Sequence, residues 1–223
     1  MTISAGDYTG FSFFITSMAM LAATFFFYIE RDNVDGKWKL SLTVSALITG
    51  IAAVHYFYMR DVWGSSGQSP TELRYIDWIL TVPLMCVEFY LILNAVKKVS
   101  SGILMRLLGY SLVMLIFGYL GEAKLMNQQV GFWIGMLGWL GVIYEVTLGE
   151  AGKISAESAS PALKSAFGYL RLFAVVGWSI YPVGFWLDPD ALNVAYNIAD
   201  AINKIGWGLI IYVLAVRDSA KTA

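Results

Sequence analysis

The run ALNVAYNIADAINKIGWGLIIYVLAV, from Ala191 to Val216, is long and apolar enough to cross a membrane as one helix, and it indicates the fold class of the whole chain. At about 1.5 Å per residue it exceeds the roughly 30 Å of a hydrocarbon core. Its only charged residues are Asp200 and Lys204, which lie one turn apart on the same helix face. A free ammonium in the middle of a membrane is costly, so Lys204 is predicted to be functional. Two interpretations remain open: a buried ion pair that orients helices, or an amine that holds a ligand covalently as a Schiff base.

The composition is that of a polytopic membrane protein. Of the 223 residues, 58% are hydrophobic and 14% are charged, and the mean hydropathy is +0.63. The net charge of −1 gives no indication of nucleic-acid binding, and no metal site is predicted. The single cysteine, Cys86, excludes an intrachain disulfide. No cleavable signal peptide is predicted, since no basic segment precedes the first apolar run. We expect one integral domain that covers residues 1–223.

Seven apolar runs follow one another along the chain. Each is too long and too uninterrupted for a strand, so we predict an all-α membrane protein, a bundle of seven transmembrane helices. The longest connections are predicted at Arg60–Thr71 and Glu150–Pro161, which are rich in Gly, Ser or Pro. The runs are 11–29, 40–59, 73–96, 107–121, 130–148, 172–187 and 191–216.

The basic residues of the connections predict the orientation of the bundle. With seven spans, the two chain ends lie on opposite sides, and only Arg60 and Lys124 fall on the side of the amino terminus. Cytoplasmic connections carry an excess of Lys and Arg, so we predict an external amino terminus and a cytoplasmic carboxyl terminus in the cell membrane. The other side carries Arg31, Lys37, Lys39, Lys97, Lys98, Arg106, Lys153, Lys164, Arg171, Arg217 and Lys221.

The third run places polar groups in a line across the membrane. Asp77 and Glu88 are eleven residues apart, which brings them to within about 20° of one helix face, and Thr81 lies on that face too. With the predicted orientation, Asp77 lies in the outer half and Glu88 in the cytoplasmic half. Arg74 is one turn external to Asp77, and the second run brings His55 near the depth of Asp77.

These surroundings predict opposite charge states for the two carboxyl groups. Glu88 lies among apolar residues, which favour its protonated form, whereas Asp77 lies near Arg74 and the Lys204 cation, which favour its charged form. Glu88 is therefore predicted to be a loaded proton source and Asp77 an empty acceptor. Taken singly, Glu88 and His55 each leave an alternative open. Each could be a structural residue whose polar group only bonds to a neighbouring residue.

Three motifs resemble those of microbial (type I) rhodopsins, and specifically of the proteorhodopsin group. They are RYIDW at 74–78 with TVP at 81–83 and EFY at 88–90, WSIYP at 178–182, and DAINK at 200–204. The resemblance covers essentially the whole chain, and the three motifs together are specific. It implies a light-driven outward proton pump, which is an ion transporter and not an enzyme.

The resemblance implies a role for each charged residue. Lys204 would carry all-trans retinal as a protonated Schiff base, with Asp77 as primary counterion and proton acceptor. Asp200 would complete the counterion, with Arg74 just external to it, and Glu88 would be the proton donor from the cytoplasmic side.

Other residues are implied to tune or enclose the retinal. His55 would pair with Asp77 and tune the acceptor, and Met85 matches a colour-tuning position at which a thioether favours green absorption. Phe14 stands where relatives often have a tryptophan that contacts the histidine of a neighbouring protomer, and phenylalanine lacks that N–H donor. A pentamer or hexamer is nevertheless implied by the resemblance. The implied retinal pocket is Tyr75, Trp78, Thr81, Met85, Trp178, Tyr181 and Pro182.

Alternatives from other classes remain open. A sensory rhodopsin would have the same pocket but signal through a partner protein, and such sensors commonly lack an inner carboxylate such as Glu88. Pumps for sodium or chloride replace the Asp77, Thr81 and Glu88 pattern with other residues. A seven-helix protein without a chromophore would use Lys204 only in a structural ion pair.

Overall fold

The chain is a bundle of long helices. The computed structural model describes residues 5–158 and 160–220, and over these ranges it contains nine α-helices and two short 3-10 helices, at Arg31–Asn33 and Gly177–Ser179. The α-helices are α1 (Tyr8–Glu30), α2 (Gly36–Ser66), α3 (Thr71–Val96), α4 (Ser101–Glu122), α5 (Gln128–Thr147), α6 (Glu150–Glu157), α7 (Pro161–Val175), α8 (Ile180–Gly184) and α9 (Pro189–Ser219).

These helices make seven candidate membrane spans within the described residues. α5 and α6 together form the fifth span, α7 and α8 form the sixth with the 3-10 turn between them, and each other helix is a span by itself. The predicted seven-helix membrane bundle is therefore confirmed. α1 packs against α2 and α9, and α4 packs against α5.

Two predicted connections, Arg60–Thr71 and Glu150–Pro161, are shorter than predicted because helix occupies much of each. α2 extends to Ser66 and ends only at Gly67, whose φ of 66° is the left-handed conformation that terminates helices. The stretch Glu150–Glu157 forms α6. The apolar pattern stops short at both places because the helices carry polar residues where they leave the apolar layer.

The sixth span also begins earlier than predicted, at Pro161 instead of residue 172. Ser160 accepts a hydrogen bond from the Leu163 N–H, and Pro161 occupies the first turn, where its missing N–H costs nothing. Phe167 and Leu170 are buried on one face of α7, whereas Lys164 is exposed on the other. An exposed charge such as Lys164 interrupts the apolar run without interrupting the helix.

The sixth span is locally unwound at the middle of the bundle. Pro182 cannot donate to the carbonyl four residues earlier and clashes with it, and a 3-10 turn occupies Gly177–Ser179. The side-chain amide of Asn203 in α9 donates to the Gly177 carbonyl at 3.1 Å. This bond supplies a partner to a backbone group at a depth where water is scarce.

α4 and α5 approach closely through glycine. A Cβ on Gly138 would lie 2.5 Å from the Met114 backbone N, and one on Gly131 would lie 2.7 Å from the Gly121 Cα. Small residues at such a contact let two helix backbones pack directly, which is how helices associate where lipid removes the hydrophobic driving force.

The surface and the interior of the bundle differ as expected for a protein in lipid. Large apolar side chains face outward, such as Phe25 at 60% and Leu137 at 66% exposed, while charged groups are buried inside. We define the basic end of the bundle as the end where α1, α3, α6 and α9 finish and α2, α4 and α7 begin. The basic residues of the cytoplasmic prediction belong to this end, apart from Lys221, which lies outside the described residues.

Candidate functional site

Lys204 is the centre of a buried charge cluster between α3 and α9. Its side chain is only 2% exposed, and its Nζ lies 2.5 Å from Asp77 Oδ2 and 2.8 Å from Asp200 Oδ2. Asp200 precedes it by one turn of α9, and Asp77 comes from α3. One ammonium therefore contacts two carboxylates. Burying such charges is costly, and the cluster is stable only if the remaining lone pairs of the carboxylates accept hydrogen bonds.

The buried face of α9 explains why Lys204 points into the bundle. Residues three and four apart along this helix are buried together and carry the polar groups of the span. α3 does the same with its own line of residues, since Asp77, Thr81 and Glu88 are all 0% exposed. The buried residues of α9 are Asn193, Tyr196, Asn197, Asp200, Asn203, Lys204, Trp207, Gly208, Ile211, Leu214 and Ala215.

Asp200 is held by four donors. Tyr56 donates to its Oδ2 at 2.7 Å, Trp78 Nε1 donates to the same oxygen at 3.2 Å, and the Tyr181 hydroxyl donates to its Oδ1. With the Lys204 ammonium, these bonds stabilise the carboxylate as an anion.

Asp77 is held much more loosely. Its Oδ2 accepts from Lys204, but its Oδ1 is a buried oxygen with no hydrogen-bond partner. An oxygen without a donor can receive a proton without losing a bond. The two carboxylates beside Lys204 therefore differ: Asp200 accepts hydrogen bonds from four donors, whereas one oxygen of Asp77 accepts none.

His55 lies beside Asp77 without a hydrogen bond to it. Its Nδ1 is 3.9 Å from Asp77 Oδ1, and the same nitrogen is 2.8 Å from the Ile51 carbonyl one turn earlier. Donation from Nδ1 to that carbonyl directs the ring along α2. Nearby, Phe14 lies under the Arg60 guanidinium, 5.1 Å from its ring centroid.

Arg74 is bound by amides rather than by the two carboxylates. Its guanidinium donates to Asn193 Oδ1 at 2.6 Å and to Asn197 Oδ1 at 3.3 Å. It also lies 5.2 Å from the ring centroid of Tyr196 and is 1% exposed. α9 presents these amides at the depth of Arg74 and its carboxylate, Asp200, one turn further in.

Glu88 lies in the half of the bundle that faces the basic end. Its carboxyl is 0% exposed, and Ser45 of α2 donates to its Oε1 at 2.7 Å. The sequence predicts only apolar neighbours for Glu88, and the structure adds a polar one, Ser45. A carboxyl that receives one neutral donor and no cation at such a depth is suited to carry a proton.

An apolar cavity extends from Lys204 between α3, α4, α5 and the sixth span. The predicted pocket residue Thr81 is not among the described residues that line it, and its hydroxyl donates to the Asp77 carbonyl at 2.9 Å. The other predicted pocket residues line the cavity: Tyr75, Trp78, Met85, Trp178, Tyr181 and Pro182. Wall residues that the sequence analysis did not assign to the pocket are Val82, Met114, Leu115, Gly118, Glu122, Phe132, Gly135, Met136, Trp139, Phe185, Tyr196 and Asn203.

Some of the missed residues had a signal in the sequence. Asn193 and Asn197 precede Asp200 at spacings of seven and three, so the polar pattern of the span already placed them on the Lys204 face. Tyr56 and Ser45 had none, because a lone tyrosine or serine in an apolar run does not reveal what it faces. Both are contacts that only helix packing creates.

Comparison with known proteins gives a consistent result. The family model described as "Bacteriorhodopsin-like protein" matches residues 7–217. A green-light absorbing proteorhodopsin from gamma-proteobacterium EBAC31A08 is 51% identical, over 98% of this chain and 90% of its own. A blue-light absorbing proteorhodopsin from gamma-proteobacterium Hot 75m4 is 50% identical over the same shares.

Solved structures agree with this. The crystal structure of a blue light-absorbing proteorhodopsin from Med12 superposes with a TM-score of 0.83 and 45% identity. The match covers 95% of this chain and 100% of that one.

Proposed function

Because this chain belongs to the family of bacteriorhodopsin-like proteins, we propose that it is a light-driven outward proton pump with all-trans retinal bound covalently to Lys204. The chain is a microbial rhodopsin of the proteorhodopsin group and a multi-pass protein of the cell membrane. Membership implies a retinal chromophore. The linkage as a protonated Schiff base, the direction of transport and the residue roles are our proposals.

The cavity has the chemistry that retinal requires. Lys204 and Asp200 lie in its wall, and Trp78, Trp178 and Tyr181 offer flat aromatic faces to a flat conjugated chain. Lys204 offers a buried amine for the linkage, and Asp77 and Asp200 are carboxylates that can balance a positive charge on its nitrogen. When bound, retinal would supply light absorption and a light-driven change of shape.

The first proton step would occur between Lys204 and Asp77. The proton on Lys204 Nζ would pass to Asp77, whose Oδ2 is 2.5 Å away and whose Oδ1 has no other partner. Asp200 would remain an anion throughout, since its donors stay in place. Arg74, held by Asn193 and Asn197, would keep a positive charge on the outer side of Asp77.

The second proton step would come from the opposite side of Lys204. Glu88 would give its proton to Lys204 Nζ and would be reloaded from the basic end of the bundle. Ser45 would hold the carboxyl in place through both states. Because Asp77 lies on one side of Lys204 and Glu88 on the other, loss of a proton to Asp77 followed by uptake from Glu88 would move protons from the Glu88 side to the Asp77 side.

The basic end supports outward transport. Lys37, Lys98 and Lys153 are among the exposed basic residues there, and an excess of such residues marks the cytoplasmic side. Glu88 faces this end and Asp77 faces away from it, so protons would leave toward the outside. We further propose a single retinal-binding domain, green absorption through Met85, tuning of Asp77 by His55, and a homo-oligomer in the lipid bilayer.

One observation carries this proposal: the Lys204 ammonium contacts two carboxylates on one side, while a separate buried carboxyl lies on its other side. The test is the pH of an unbuffered suspension of cells that express the protein with retinal. Illumination should acidify the medium, and an uncoupler should abolish the signal. Cells with Lys204→Ala are the control and should give no signal.

Other results of the same measurement would contradict the pump. A coloured protein that gives no pH change indicates a photosensor. Alkalinisation that an uncoupler enhances indicates transport of another ion, and a colourless protein indicates a structural ion pair.

A further inference from the structure

Two buried polar atoms from neighbouring side chains of α3 and α9 have no hydrogen-bond partner in the half of the bundle toward the basic end. They are Glu88 Oε2 and Trp207 Nε1. The indole N–H of Trp207 is within interaction range of the Glu88 carboxyl, yet the two make no hydrogen bond of normal geometry. Both residues are 0% exposed. An unmet donor opposite an unmet oxygen at such a depth requires an explanation.

Trp207 is held rigidly in this position. Its ring stacks on Trp178, with centroids 5.8 Å apart and planes at 16°, and Phe89 packs edge-on against it at 5.1 Å. It follows Lys204 by three residues on the buried face of α9. Trp178 lines the cavity, and Phe89 follows Glu88 in α3. Trp207 therefore contacts one residue of the cavity wall and one residue next to Glu88.

The protonation state of Glu88 decides whether the two atoms can bond. Glu88 Oε1 already accepts from Ser45, so in the protonated acid Oε2 is the oxygen that carries hydrogen. An indole N–H can only donate, and the hydroxyl oxygen of a protonated carboxyl is a weaker acceptor than a carboxylate oxygen, so the neutral acid offers Trp207 a poor partner. Loss of that proton makes Oε2 a charged acceptor, and a charge-assisted bond can then form.

We propose that Trp207 is a positioning residue that binds the deprotonated form of Glu88, through an N–H···O bond made only after Oε2 has lost its proton. The proposal rests on the donor role of Glu88 proposed above. The bond stabilises the anion that donation leaves behind, so it assists the proton transfer to Lys204. Ser45 and Trp207 then hold one carboxylate oxygen each.

The kinetic test replaces the N–H and keeps an aromatic ring. Trp207→Phe should slow the recovery of the visible absorption band after a flash by about tenfold, as expected for loss of one hydrogen bond to a charged group. Trp38→Phe is the matched control: Trp38 is also 0% exposed in the bundle, but its Nε1 donates to Asp218. Recovery in Trp207→Phe at the rate of the unaltered protein and of the control would overturn the proposal.

A spectroscopic test does not depend on the Trp207 variant. In protein labelled with nitrogen-15 at the indole nitrogens, the light-minus-dark infrared spectrum should contain an isotope-sensitive indole band that is absent in Glu88→Gln. A purely structural tryptophan would not respond to the charge of Glu88. The same indole band in Glu88→Gln, or no such band in either protein, would overturn the proposal.

The two proposals fail in different ways. If Glu88→Gln recovers at the normal rate, Glu88 is not the donor and both proposals fall. If Glu88→Gln is slow but Trp207→Phe is normal and the indole band is independent of Glu88, only the role of Trp207 is lost.

Discussion

The Tyr56 hydroxyl donates a hydrogen bond to Asp200 Oδ2 at 2.7 Å, and it thereby ties α2 to the face of α9 that carries Lys204. Tyr56 is 0% exposed and Asp200 is 1% exposed. Because this bond crosses between helices, it couples the charge of the site to the packing of the bundle.

Replacement of Tyr56 by Phe should therefore lower stability. We expect a loss of about 1–3 kcal/mol, because a buried carboxylate loses one of its donors. Thermal bleaching of the visible band measures it. Tyr58→Phe, at a residue 56% exposed, is the control and should bleach like the unaltered protein. Equal bleaching temperatures for all three would show that the Tyr56 bond contributes nothing to stability.

Lys204→Ala should abolish the visible band of protein prepared with all-trans retinal, since the amine for the linkage is gone. The fold should also be weakened, by about 3–5 kcal/mol, because two buried carboxylates lose their cation. An absorption spectrum and a denaturation curve measure the two effects. Lys98→Ala, at an exposed residue of the basic end, should change neither. A retained visible band in Lys204→Ala would disprove the linkage.

Asp77→Asn should shift the absorption band to the red and stop transport. Without the anion at 2.5 Å, the positive charge of the nitrogen spreads further along the conjugated chain, and no acceptor remains. Glu88→Gln is a matched control for colour, since it makes the same carboxyl-to-amide change at a second buried residue of α3, roughly 16 Å along the helix axis. It should leave the band in place, and an equal shift in both variants would argue against Asp77 as counterion.

Glu88→Gln should slow recovery of the dark state by about a hundredfold at neutral pH, the lower range for a positioned proton donor. Recovery should become slower still as the pH rises, because the proton then comes directly from solution. Flash spectroscopy across a pH series measures both effects. Glu72→Gln, at an exposed residue of the same helix, should be neutral. An unchanged pH profile in Glu88→Gln would remove Glu88 from the donor role.

Gly138→Ala should destabilise the bundle, since its Cβ would meet the Met114 backbone N at 2.5 Å and force α4 and α5 apart. We expect a cost of about 1–3 kcal/mol from overpacking. Gly109→Ala is the matched control, because nothing lies within 4 Å of its Cβ. Alanine is the better helix former, so this variant should equal or exceed the unaltered protein in melting temperature. The same melting temperature for both variants would show that α4 and α5 tolerate a wider separation.

The sequence predicts those features that depend on solvent and on helical periodicity. The seven spans follow from apolar runs that only a helix can satisfy in lipid, and the depth of Lys204 follows from its position in its run. Periodicity also places Asp77, Thr81 and Glu88 on one face of α3, and these residues are buried. The helix ends at Ser66 and Pro161 were mispredicted, because polar residues end an apolar run before they end a helix.

Which groups meet across helices depends on how the helices pack. The position of a residue along its own helix sets its depth in the membrane and the face on which it lies. Its partner comes from a second helix, and the rotation and distance of that helix depend on packing. This is why the sequence did not predict three contacts between helices: Tyr56 with Asp200, Ser45 with Glu88, and the Trp207 indole with Glu88. It is also why Asp77 and Asp200, two carboxylates around one amine, differ: donors from other helices converge on Asp200 and leave one oxygen of Asp77 without a partner.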